Sequence, residues 1–130
     1  MKVLIPILSP KDHSPAFVER AVDGKSVVYL LLILDPKSIG SHFGFKASDI
    51  MKGRKVMDAM KDHVKGQRKL CHDIMEWGPT LEKIAQIAEM KQVGEIVLLN
   101  SENNPHFDHF VKAISQSTLI PVRVVSGNAV

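Results

Sequence analysis

A single cysteine, Cys71, stands in the chain of 130 residues. No intrachain disulfide can form, and a reducing, cytoplasmic setting is expected. Aromatic residues are scarce at 5% of the chain, so few rings are available to stack nucleobases. Long hydrophobic runs are missing too. The longest, Val27 to Leu34, falls well short of the about 20 apolar residues that cross a bilayer as a helix. The apolar opening after Met1-Lys2 breaks at Ser9-Pro10-Lys11-Asp12 without a small-residue cleavage pattern, which predicts a buried strand rather than a secretory signal. No internal repeat, low-complexity tract or linker divides the chain, so residues 1–130 read as one domain. A Gly-x-Ser-x-Gly elbow is absent, and neither Ser9 nor Ser14 has a partner motif. Cys71 and His72 are neighbours in a strand-like segment and point to opposite faces. No catalytic set can be assembled, and an enzyme is not expected.

What is present is a core. Hydrophobic residues make up 45% of the sequence, as in a soluble globular protein. The net charge is +3 but unevenly spread: Lys46 to Lys69 hold eight lysines and arginines against Asp49, Asp58 and Asp62. Such a segment is ordinarily a solvated helix face. The sharper alternative is a surface for nucleic acid, anionic lipid or phosphorylated ligands.

Strand and helix signals alternate from end to end. Val3–Leu8 and Val27–Leu34 are the apolar, β-branched runs of a parallel sheet buried on both faces. Ser14-Pro15 opens a first helix to about Asp23, stopped by Gly24. Ser48 caps a second, whose buried stripe is Ile50, Met57, Met60 and Val64, ending near Gly66. Lys69–Glu76 is a third strand with Leu70 and Ile74 inward. Gly78-Pro79-Thr80 launches a third helix with Leu81, Ile84, Ala85 and Ala88 on one face and Gly94 as its stop. Glu95–Leu99 is the fourth strand. A helix from about Pro105 to Ser117 buries Phe107, Phe110, Val111 and Ile114, and Val122–Val125 closes the sheet before a loose tail. Met51, Met57, Met60 and Met75 read as core filling. The alternation predicts a doubly wound, Rossmann-like α/β domain with helices on both faces of a parallel sheet.

Four segments carry a family resemblance over nearly the whole chain. They are the opening Lys2-Val3-Leu4-Ile5-Pro6-Ile7-Leu8-Ser9-Pro10, the Trp77-Gly78-Pro79 turn before a helix, Ile96-Val97-Leu98-Leu99-Asn100, and the ending Ile120-Pro121-Val122-Arg123-Val124-Val125. In order and spacing they resemble the universal stress protein family. The resemblance implies a five-stranded parallel sheet of order 3-2-1-4-5, with a ligand crevice at the carboxyl ends of strands one and four. It also implies a homodimer joined through the last strand, with Val122, Val124 and Val125 in the interface.

The departures bear on the ligand. The family's ATP binders end strand one with an acidic residue; here Leu8 stands in that place. Their phosphate loop is Gly-x-x-Gly, nine residues and Gly-Ser or Gly-Thr. Here the glycine places fall on Asn100 and Asn103, the Gly-Ser pair falls on Asp108-His109, and the stretch between is shorter. A phosphate cradle needs small residues and open backbone N–H groups, and Asp108 would repel a phosphate. The resemblance is therefore to the branch that lacks the ATP motif, and no cofactor is expected. ATP or AMP held by a remodelled loop is the alternative.

The candidate crevice residues are Ile7, Leu8 and Ser9 after strand one, and Asn100, Ser101, Asn103, Asn104 and His109 after strand four. Asn and Ser are also ordinary turn formers. His106 and His109, with His13 nearby, could hold zinc or nickel for a metal-dependent hydrolase. No His-Glu-x-x-His spacing supports that, and no metal is expected. His42, Phe43 and Phe45 are candidates for a lid over the crevice, with packing of the two aromatics on the sheet edge the plainer reading. A second copy, joined through the C-terminal strand, is the expected partner and a partner protein is left open; nucleic acid and membrane insertion are not expected.

Overall fold

The computed structural model describes residues 1–35, 45–100 and 105–126, the side chain of residue 47 excepted. Five strands alternate with four helices: β1 (Lys2–Pro6), α1 (Pro15–Val22), β2 (Val27–Leu34), α2 (Ile50–Gly66), β3 (Leu70–Trp77), α3 (Thr80–Met90), β4 (Glu95–Asn100), α4 (Phe107–Ser117) and β5 (Val122–Ser126). All pairings are parallel and the order is β3-β2-β1-β4-β5, as the alternation and the resemblance imply. Parallel strands need crossovers, and those crossovers are the four helices.

The runs expected to be buried on both faces are so. Alternate residues of β1, β2 and β4 feed two cores. Val3, Ile5, Leu30, Leu32 and Val97 pack with α1 and α2. Leu4, Leu31, Ile33, Ile96 and Leu98 pack with α3 and α4. Gly53 lets α2 lie close on the sheet, since a Cβ there would stand 2.7 Å from a Leu32 methyl group. That close approach explains why Gly53 and Val56 join Met57, Met60 and Val64 in the buried stripe.

Several boundaries differ from expectation for local reasons. β1 ends at Pro6, although the Ile7 N–H still donates to the Leu31 carbonyl at 2.8 Å before the chain enters the Ser9–Asp12 turn. A short 3-10 turn, Ala47–Asp49, precedes α2, so Asp49 and not Ser48 occupies its cap position. Ser14 sits at the cap of α1, but its hydroxyl makes no capping bond. α3 is stopped by Gln92 in the left-handed region (φ 54°) and not by Gly94. The Val93 N–H then reaches back to the Ala88 carbonyl.

Three expected core residues are on the surface. Leu70 is 65% exposed, at the amino end of an edge strand beyond the cover of either helix layer. Met51 and Met75 are exposed as well. Met51 lies on the outer side of the first turn of α2, and Met75 on the open side of β3.

Candidate functional site

The order β3-β2-β1-β4-β5 places the switch point between β1 and β4, whose crossovers leave to opposite faces. β1 pairs with β4 through Val3–Glu95 and Leu4–Ile96. The carboxyl ends of these two adjacent parallel strands lie at the same end of the sheet. Ile7, Leu8 and Ser9 follow the carboxyl end of β1, and Asn100 ends the adjacent β4. Ser101, Asn103, Asn104, His42 and Phe43 lie outside the described residues.

The β1 side of the crevice is closed upon itself. Ser9-Pro10-Lys11-Asp12 forms a turn in which the Asp12 N–H donates to the Ser9 carbonyl at 3.1 Å. Proline at its second position presets the backbone for such a turn. The Lys11 N–H donates to the Ser9 hydroxyl at 3.2 Å. Asp12 is fully buried, and its carboxylate accepts the Leu8 N–H at 2.9 Å. Ile7, Leu8 and Ser9 are buried in turn. Asp12 is the residue that sequence reasoning missed. A carboxylate does reach the end of strand one, but from the following loop, in place of an acidic residue on the strand. The available signal was the Ser-Pro turn, which folds its fourth residue back onto the strand end.

Phe45 lies beside the end of β2. Beyond the end of β1, the Asp35 N–H donates to the Phe45 carbonyl at 3.0 Å, and Leu34 bridges to Phe45 in parallel fashion. Phe45 is 4% exposed and packs with the core under α1 and α2. Its place is therefore a packed rung beside the central strand β2, and not on the sheet edge that the plainer reading named.

On the β4 side, α4 runs back from the carboxyl end of the sheet, so its amino terminus faces the crevice. Asp108 stands in its first turn and is exposed, as is His109. A carboxylate suits a helix amino terminus but opposes a phosphate there. His106 holds the cap position, and its carbonyl accepts the Phe110 N–H at 3.2 Å. His13 is tied locally, with its ring Nδ1 2.8 Å from the Pro10 carbonyl oxygen. Among the described residues no three His, Cys, Asp or Glu side chains are gathered to hold a metal.

Titration is perturbed elsewhere, on the open side of β3. The Lys61 ammonium donates to the Asp73 carboxylate at 2.9 Å. That bond holds the Asp73 carboxyl below its ordinary value and lifts Lys61 above its own. Burial pushes the Cys71 thiol up, so it stays protonated and poorly nucleophilic. His72, on the opposite face, stacks on Tyr29 with ring centroids 5.3 Å apart. The two neighbours diverge as strand geometry requires.

At the other edge, the Ile96 N–H donates to the Pro121 carbonyl, so odd-numbered residues of β5 face β4. Val122 and Val124 turn their backbone groups outward. Val124 is 41% exposed, Val122 is half-buried, and Val125 is buried against the α1 side of the core. Leu119, just before the strand, is fully exposed.

Among the described residues no helix is long and apolar enough to cross a membrane. No family model and no curated protein matches the sequence. Solved structures do match the fold. The hypothetical protein PH0823 superimposes with a TM-score of 0.68 at 21% identity, over 96% of this chain and 94% of that one. A universal stress protein from Archaeoglobus fulgidus in complex with dAMP gives 0.69 at 13% identity, over 95% and 96% of the two chains. A universal stress protein in complex with cAMP gives 0.65 at 12% identity, over 98% of each. With its strand order, its four crossovers and its end-to-end superposition, this chain has the fold of the universal stress proteins.

Proposed function

We propose that this chain is a non-catalytic, dimeric stress-response or regulatory module that does not hold ATP in the manner usual for its fold. The observation that carries the reading is the closed end of strand one. Leu8 stands where a ligand-facing carboxylate is expected, and the Asp12 carboxylate is turned inward onto the Leu8 N–H. A group that satisfies a backbone donor in the interior is costly to redeploy toward a ligand. Asp108 at the amino terminus of α4 adds like charge where phosphates would lie. No cofactor is assigned, and the reduced Cys71 suits a cytoplasmic setting.

Dimerisation runs through β5, with Val122 and Val124 presenting outward backbone groups and apolar side chains to a second copy. Val125 supports the strand from within. The rival reading is an adenine-nucleotide binder with a remodelled loop, and the dAMP and cAMP complexes of proteins with this fold favour it as the second choice.

Thermal unfolding with and without millimolar Mg-ATP, ADP, AMP, dAMP and cAMP separates the two. Ligand bound to the native state alone raises the midpoint by mass action. No shift with any nucleotide is the expected result. A clear rise with one of them would overturn the closed-site reading and assign residues 100–104 to a nucleotide loop. Bound metal in protein purified without a histidine tag would revive the hydrolase alternative.

A further inference from the structure

β3 is the longer edge of the sheet, with eight residues against five in β5, and it is paired with β2 along its whole length. The N–H groups of Leu70 and Gly78 donate to the carbonyls of Ser26 and Leu34. Even-numbered residues of β3 thus face β2, and the backbone groups of Cys71, Asp73, Met75 and Trp77 face outward. The strand carries no proline to blunt that edge, and a long open edge is a template for another strand.

The side chains along it are unusual for open water. Trp77 is 55% exposed and Met75 37%, and both lie on the α2 face of the strand. The flank of α2 above them carries Arg54, Lys61 and Lys65, which recur at helical spacing. Lys61 reaches Asp73 directly, Arg54 acts on Asp73, and Lys65 acts on Cys71. Asp58 interrupts the row, yet among the described residues neither Arg54 nor Lys65 has a carboxylate within ion-pair distance.

We propose that the β3 edge docks an acidic, extended segment of a partner protein, which adds to the sheet as a sixth strand. Main-chain hydrogen bonds to the outward groups of Met75 and Trp77 give it register, and the two apolar side chains anchor it. Acidic side chains on alternate positions of the segment then meet Arg54, Lys61 and Lys65. A second copy of this chain is a poor occupant. Two β3 edges meeting about a two-fold axis would bring both basic flanks of α2 onto one face, where like charges repel.

The test uses the full chain and a fluorescein-labelled nonapeptide alternating glutamate with valine and isoleucine, read by anisotropy. A peptide with lysine at each glutamate position is the control. The acidic peptide is expected to bind at least about tenfold more tightly than the lysine peptide, with the advantage shrinking as salt rises. Arg54→Glu with Lys65→Glu, both exposed positions, is expected to weaken it about tenfold while leaving the circular dichroism unchanged. Met75→Pro removes an outward N–H without breaking the β2 ladder, and is expected to abolish binding. Equal binding of the two peptides, or none at millimolar concentration, would overturn the proposal. So would a change in the sedimentation of the free chain on Met75→Pro, which would make this edge a self-interface. A single-stranded oligonucleotide that binds more tightly than the acidic peptide, and is lost in the same double variant, would give the basic row to nucleic acid instead.

Discussion

β5 and β3 are both edge strands of one parallel sheet, and both turn backbone groups outward, yet they are fastened differently. β5 is tied down by Arg123. Its guanidinium donates to the Ala21 carbonyl at 2.9 Å and to the Glu95 carboxylate at 3.1 Å, and Lys25 joins Glu95 at 3.3 Å. These contacts lock β5 against the end of α1 and leave two valines facing out. β3 is held by the Lys61–Asp73 pair and by Lys83 with Glu76 at 3.9 Å, both nearer to water. Its open side mixes charge with Met75 and Trp77. An edge that is short, apolar and rigidly seated suits a symmetric copy of itself, whereas a long edge under a basic flank suits an unlike partner. The difference lies less in the strands than in the helices that border them.

The comparison can be broken or sharpened by substitution. The largest effect is expected where neither edge is involved. Leu30→Ala, at a fully buried position of β2, should lose about 2–5 kcal/mol, while Leu70→Ala on the β3 edge stays within about 0.5 kcal/mol. Urea unfolding of both variants checks this; equal losses would mean that β3 is covered in solution. Next is Val124→Pro, which removes an outward N–H from β5 twice in the proposed symmetric dimer. At about 1–3 kcal/mol for each bond left unmade, the dimer dissociation constant should rise about a hundredfold by sedimentation. An unchanged constant would move the dimer off this edge.

Gly78 has φ 130°, and a Cβ there would stand 3.0 Å from the Lys83 side chain. Gly78→Val should cost about 1–3 kcal/mol by straining the turn that ends β3. Just after it, the Thr80 hydroxyl is buried, and among the described residues it has no hydrogen-bond partner. Thr80→Val should be neutral or stabilise by about 1 kcal/mol, and a clear loss would show that the hydroxyl is satisfied after all. The smallest effect is a pH dependence. Because the folded-state value of Asp73 is depressed by Lys61, the stabilisation is present above the unfolded value of about 3.9 and fades as pH falls through the lower folded value. Asp73→Asn should therefore lower the unfolding midpoint slightly at neutral pH, with the gap closing below about pH 4.

Much of the fold was legible because β1, β2 and β4 are central strands. Runs such as Val27–Leu34 have no solvent face and so no competing reading. The edges were harder. Leu70 looked buried because an apolar residue in a strand usually is, and nothing local reveals that no helix reaches it. Met51 and Met75 failed in the same way. At the site, the positions of Ile7, Leu8, Ser9 and Asn100 after the strands follow from the strand assignments alone. Asp12 was missed because its role depends on a turn that folds it back across Leu8. Its spacing alone marks only a loop aspartate. Gln92 took over from Gly94 because a left-handed cap is chosen by where the helix must stop, and glycine only lowers its cost.

The rung formed by Asp35 and Phe45 has a consequence for how this fold can vary. The chain between residues 35 and 45 starts and ends at this rung, where the Asp35 N–H donates to the Phe45 carbonyl and the Phe45 ring is buried. The closure entropy of such a stretch grows only logarithmically, by about 0.6 kcal/mol for each doubling of its length. Segments grafted between residues 35 and 45 would therefore tax the sheet little, which makes this rung a natural port through which new sequence could be added to an otherwise fixed scaffold.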